Sequence, residues 1–287
     1  DRDINTAYQG FTLAKLRYNL LYGRTQASNM WDGYLSSSYN SMQVAFTRSF
    51  SKGLMLKGAY TWSHAIDYSD DDGWTGVNFN YAPMFQRNRA TAGFDVPQNF
   101  QIGWVYELPF GKNKSYVSSG LGAMILGGWQ LSGREAMYVG TPFTVGAPDT
   151  SLNDAGTNTQ TANQVLSSVQ FLGHVGPGQY YYNPAAFAPV TTQNFGNSGI
   201  NILREPGIWN TDLSAVRNFA IKERFTLQFR AEFNNLPNTS HFNASAAASG
   251  FGNGGGGVDN YVTDSSFMQV TSASGERNIR FGLRLLW

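Results

Sequence analysis

The residues able to do chemistry are few and scattered. His64, His174 and His241 are the only histidines, and none has a second histidine three or four residues away, the spacing that brings two imidazoles to one metal ion. The chain has no cysteine, which excludes a disulfide framework, a thiolate metal site and a thiol nucleophile. No nucleophile elbow, phosphate-binding loop or zinc-protease motif occurs. Asp67, Asp70, Asp71 and Asp72 crowd ahead of Gly73. Carboxylates at that density suit a hard divalent cation, but their spacing does not match the EF-hand loop, and a solvated acidic loop is expected. The run Gly252-Asn-Gly-Gly-Gly-Gly257 follows no alternating strand and precedes no helical pattern, so it reads as a flexible loop and not a phosphate cradle. No catalytic residue, metal or cofactor is expected, and the chain does not read as an enzyme.

The elements around these residues carry more information. Phe225, Leu227, Phe229, Ala231 and Phe233 alternate with Thr226, Gln228, Arg230, Glu232 and Asn234. Ile279, Phe281, Leu283, Leu285 and Trp287 alternate in the same way with Arg280, Gly282, Arg284 and Leu286. This period of two is the signature of a strand with one apolar face. Eight such segments are expected, at about 11–22, 41–50, 53–66, 98–108, 127–140, 208–218, 223–235 and 277–287. Their lengths suit tilted strands that cross a bilayer, which need ~9–11 residues. No run approaches the ~18 apolar residues of a membrane-spanning helix. A mean hydropathy of −0.31 does not oppose a membrane location, since only alternate residues of a barrel strand meet lipid. Charged residues make up only 14% of the chain, well under the ~25% of soluble domains. The net charge of +1 gives no basic footprint for nucleic acid.

The connections alternate in length. Residues 51–52 and 219–222 are tight and 109–126 is moderate, whereas 67–97, 141–207 and 236–276 are long and rich in Gly, Asn, Ser, Thr and Pro. Short periplasmic turns and long extracellular loops build outer-membrane barrels. If Trp287 ends in the periplasm, every tight turn lies there too. The fold expected is an all-β antiparallel transmembrane barrel, or the C-terminal segment of a larger one, as a single domain over 1–287. Face parity puts Phe50 opposite Leu54, with Ser51-Lys52-Gly53 as the turn and glycine in the left-handed position. It also turns Asp212, Arg230, Glu232, Arg280 and Arg284 inward, either along a permeation path or as a structural charge network. A turn of Ala220-Ile221-Lys222 pairs Asp212 with Arg230. The alternative Ile221-Lys222-Glu223 pairs Asp212 with Glu232 and is disfavoured by like charges. Arg48, His64, Glu135 and Arg217 are the polar exceptions on outward faces. The two arginines are placed to snorkel, and Glu135 has no partner in this reading unless a β-bulge re-aims it.

Several stretches resemble Oar-like TonB-dependent receptors. They are Tyr39 to Phe50 with Ala59-Tyr-Thr-Trp-Ser63, Phe94-Asp-Val96, Tyr106 to Lys112, Gly128 to Gly133, Asn183-Pro-Ala-Ala-Phe187, Phe195-Gly-Asn197, Asn210 to Ser214, Phe229 to Asn235 and Phe281 to Trp287. The resemblance runs from about residue 39 to the end. It implies a 22-stranded barrel with an N-terminal plug and a TonB-contacting segment, neither recognisable in this sequence. Glu135 departs from the family, which usually has an apolar or small residue there. The resemblance further implies that Phe281, Leu283, Leu285 and Trp287 form the terminal signal read by the barrel-assembly machinery, with Trp287 in place of the more usual Phe. The partners expected are outer-membrane lipid, that machinery, TonB through the plug region, and a bulky ligand the sequence does not name. Two other readings stand beside it: a self-contained eight-stranded barrel with a structural or adhesive role, closed by pairing 11–22 with 277–287, and a soluble secreted glycan-binding module. The chain opens on Asp1 with no initiator Met and reads as a mature protein or a fragment.

Overall fold

The computed structural model describes residues 2–3, 5, 16–30, 33, 35–70, 77–149, 159–222, 224–242, 257–270 and 272–287. Seven long strands form one antiparallel meander: β1 (Ser38–Ser51), β2 (Leu54–Asp67), β3 (Gln98–Glu107), β4 (Trp129–Tyr138), β5 (Ile208–Lys222), β6 (Phe225–Asn234) and β7 (Asn278–Leu286). Each pairs with its neighbours in sequence, so β1 and β7 are the two edges. The short strand Ala90–Thr91 adds to the outer end of β2. Among the described residues the sheet does not close on itself.

The register sorts side chains by chemistry. Trp209, Met137, Phe100 and Tyr60 oppose one another across β5, β4, β3 and β2. So do Ala215, Leu131, Tyr106 and Leu54. The face that holds them is predominantly apolar, and it is uncovered: Trp62, Phe281 and Leu283 are 57%, 71% and 71% exposed. Two glycines on this face are roofed by rings. Phe46 lies over Gly58 and Trp104 over Gly133, so closely that a Cβ at either glycine would fall within 3 Å of the ring. The rings fill space that a strand glycine leaves empty.

The buried core lies outside the sheet, in the long connections. Pro142–Phe143 pairs with Leu203–Arg204, and Asn163–Gln164 pairs with Phe187–Ala188. Phe143, Val145, Phe187, Leu203, Phe267 and Met268 pack together there. Loops that long order themselves only by burying their own apolar side chains. They form a cap at one end of the sheet. Its join to β5 is tight, since a Cβ at Gly140 would lie 2.0 Å from the Glu205 carbonyl oxygen.

Three expectations need correction. The segment expected as a strand at 11–22 holds a helix, α1 (Arg17–Tyr22), and residues 11–15 lie outside the described ones. Asn5 explains it. Its Oδ1 accepts from the Tyr18 N–H, and its Nδ2 donates to the Arg24 and Gln26 carbonyls. Gly23, at φ 67°, closes the helix. The first hairpin keeps its expected register, with Arg48 facing Leu56, but a bulge sets Ser51 opposite Leu54. The turn is Lys52-Gly53, both at positive φ, as a type I′ turn requires. In the second hairpin a bulge at Ile221 lets Lys222 face Phe225, so Val216 faces Arg230. Asp212 is therefore not paired with Arg230; it faces Arg134 of β4. The expected odd-numbered loop held three residues, and the bulge lengthens it between Ala220 and Thr226.

Candidate functional site

The polar face of the sheet gathers the charged residues. Glu232 faces Arg280, Gln228 faces Arg284, Arg230 faces Gly282, and Asp212 faces Arg134. Asp212, Arg230, Glu232, Arg280 and Arg284 thus share one face across β5, β6 and β7. Arg134 joins them, and the period of two along β4 was the signal for it. Arg230 donates to Glu232 two residues on, at 3.2 Å. Asp212 accepts from Asn210 Nδ2 and from the Asn235 N–H, so its carboxylate also fixes the end of β6.

Two of the polar residues on the apolar face, Glu135 and Arg217, have defined partners. Glu135 needs no bulge: it sits in regular register opposite Ile102 and Thr211. Its Oε2 accepts from the Thr211 hydroxyl at 2.6 Å and from the Trp209 indole at 3.3 Å. Arg217 donates to the Ile125 and Met124 carbonyls and stacks over Phe219 at 4.4 Å.

Where the cap meets the apolar face there is a cavity of about 700 Å³. Tyr60, Phe100, Met137 and Trp209 of the sheet form one side, and Tyr181, Tyr182, Arg204 and Glu205 of the cap form the other. Asp95 braces it. Its buried carboxylate takes the Arg204 guanidinium at 2.5 Å and the Ala65 N–H at 2.7 Å, with His64 3.5 Å away. Arg204 also donates to the Gly140 carbonyl, and Tyr182 hydroxyl donates to the Arg204 carbonyl. Burial pushes the Glu205 carboxyl up to about 7, although the Val258 N–H donates to it. Burial likewise pushes the Tyr181 hydroxyl up to about 12. Sequence reasoning singled out neither Arg204 nor Glu205.

Of the acidic cluster, Asp67 ends β2 and Asp70 accepts from the Gly93 N–H at 2.5 Å. Burial raises the Asp70 carboxyl above the usual range. Asp71 and Asp72, and 252–256 of the glycine run that ends at Gly257, lie outside the described residues. Among the described residues no group of three or more His, Asp or Glu side chains is placed to hold a metal ion.

The turn 52–53, the β5–β6 hairpin end where Lys222 faces Phe225, and the connection 108–128 share one end of the sheet, and the long connections share the other. From Phe219 to Trp209, β5 rises ~33 Å at ~3.3 Å per residue. At the ~40° tilt of barrel strands that is ~25 Å of membrane normal, the height of a lipid-facing band. A family model described as an outer membrane beta barrel domain matches residues 1–280. The chain belongs to this outer-membrane β-barrel family. Neither a curated protein nor a solved structure matches it. The apolar face is therefore the lipid face, the cap is extracellular and the tight turns are periplasmic. Location in the outer membrane removes the soluble glycan-binding alternative.

Proposed function

We propose that this chain is part of the wall of a wide outer-membrane barrel of the TonB-dependent receptor kind, which moves a bulky ligand across the membrane and catalyses no reaction. The observation that carries the proposal is the open meander with a charged inner face. Among the described residues both edges have unpaired ladder groups, which a barrel covers by continuing the sheet. The self-contained eight-stranded barrel needed 11–22 as its closing strand, and residues 17–22 of that segment are helical. Arg134, Arg230, Glu232, Arg280 and Arg284 line a face suited to water or to a polar plug. The ordered cap over the extracellular end of the wall suits capture of a ligand from outside. Energy coupling would run through a plug region and TonB, and insertion through recognition of Phe281 to Trp287 by the assembly machinery.

Retention of the purified periplasmic domain of TonB by the detergent-solubilised full-length protein tests the coupling. Retention is expected, and its absence overturns the receptor reading. Residues 1–287 alone should fail to form a closed, protease-resistant monomer in lipid. A stable monomer of that piece would favour the small barrel.

A further inference from the structure

The connection between β3 and β4 holds a second helix, α2 (Gly120–Leu126), whose seven residues include no polar side chain. Leu121, Met124 and Ile125 are 73%, 63% and 60% exposed. A helix this short is unstable in water on its own, and no side chain caps its N-terminus. Its last carbonyls are held instead. Arg217 Nη1 donates to the Ile125 carbonyl at 2.7 Å, and Trp129 Nε1 donates to the same oxygen at 3.1 Å. Arg217 and Trp129 face each other across β5 and β4 on the lipid face, two residues from Phe219 at the periplasmic edge of the band. The helix is thus fastened to the lipid side of the wall, and its uncovered side chains continue the lipid-facing surface downwards.

We propose that α2 is an interfacial anchor that lies in the periplasmic leaflet of the outer membrane, with Leu121, Met124 and Ile125 among phospholipid acyl chains. An apolar helix at the boundary is covered by acyl chains without the desolvated backbone that a loop would leave there. Arg217 then has a purpose on a lipid-facing position. It lends its charge to the open C-terminal carbonyls of α2 while its guanidinium lies over the Phe219 and Trp129 rings. The proposal rests on the barrel's orientation and is independent of any transport role.

Spin labels test it. Residues 1–287 hold no cysteine, so, with any cysteine elsewhere in the full-length protein replaced by serine, Met124→Cys, Leu283→Cys and Lys112→Cys can each be labelled in it, reconstituted in vesicles of phosphatidylethanolamine and phosphatidylglycerol. All three positions are exposed, so the labels leave the packing intact. The readout is the ratio of collisions with oxygen, which partitions into lipid, to collisions with a water-soluble nickel chelate. The ratio at 124 should match that at lipid-facing 283 and exceed that at 112 several-fold. A ratio at 124 equal to that at 112 would put the helix in water and overturn the proposal. Shielding of 124 from both reagents would put a protein partner on the helix and also overturn it.

Discussion

Gly133 lies beneath the Trp104 ring, with its missing Cβ 2.5 Å from two ring carbons. Gly133→Val therefore forces the indole off the sheet and opens its contact with lipid. Overpacking of this kind costs ~1–3 kcal/mol, to be read as a lowered midpoint for urea unfolding in detergent. An unchanged midpoint would mean that the ring does not rest there. Glu205 makes a different prediction. Burial holds its carboxyl protonated up to about 7, against 4.5 for a free glutamate. The folded cap binds the extra proton, so its stability is full below about 4.5 and is lost as pH rises through about 7. Hydrogen exchange across 159–207, corrected for the intrinsic pH dependence, should show weaker protection at pH 8 than at pH 5. Glu205→Gln should remove the difference. Neither Glu205 nor its neighbour Arg204 was legible beforehand. Arg204 and Asp95 lie 109 positions apart, and no periodicity joins residues of long loops. Gly133 and Trp104, by contrast, both fall within segments whose alternation set their face.

At the scale of elements, alternation located the seven long strands and their faces but not their exact partners. The bulge at Ile221 is the reason. Parity restricts a hairpin to odd loops and cannot choose among them, and a bulge changes the count without changing the face. The segment near residue 20 failed for another cause. Alternation was read over 11–22, but the helix takes only Arg17–Tyr22 of it, and Asn5, which fixes α1, lies far outside any local window. The β5–β6 register is directly testable. Val216 and Arg230 are Cα partners, and antiparallel partners stand ~4.5–5.5 Å apart, within disulfide range. The pair Val216→Cys and Arg230→Cys should cross-link on mild oxidation. Asp212→Cys with Arg230→Cys should not, because Asp212 stands four residues further along the strand. The opposite result would restore the shorter turn.

The whole molecule joins an uncovered apolar wall to a cap that holds the only large buried core among the described residues. The cap buries its own apolar side chains, but the wall is stable only in lipid and only with its edges covered. The last strand matters for both reasons. β7 pairs with β6 along nearly its whole length, from Thr226 with Leu286 to Asn234 with Asn278. Phe281 stacks on Phe229 at 6.3 Å, and Trp129 meets Phe229 edge-on from the other side. Removing Phe281 to Trp287 strips both the ladder and the ring stack and leaves the N–H and C=O groups of β6 facing hydrocarbon. It also removes the aromatic end, Trp287, which is 87% exposed. The truncated full-length protein should be degraded in the periplasm, with surface levels at least ten-fold lower. Trp287→Ala separates the two contributions, since it keeps the ladder and loses only the terminal ring. A fall as deep as the truncation would assign the loss to recognition at assembly, whereas near-normal levels would assign it to the missing strand. Normal surface levels of the truncated protein would contradict a wall that depends on β7.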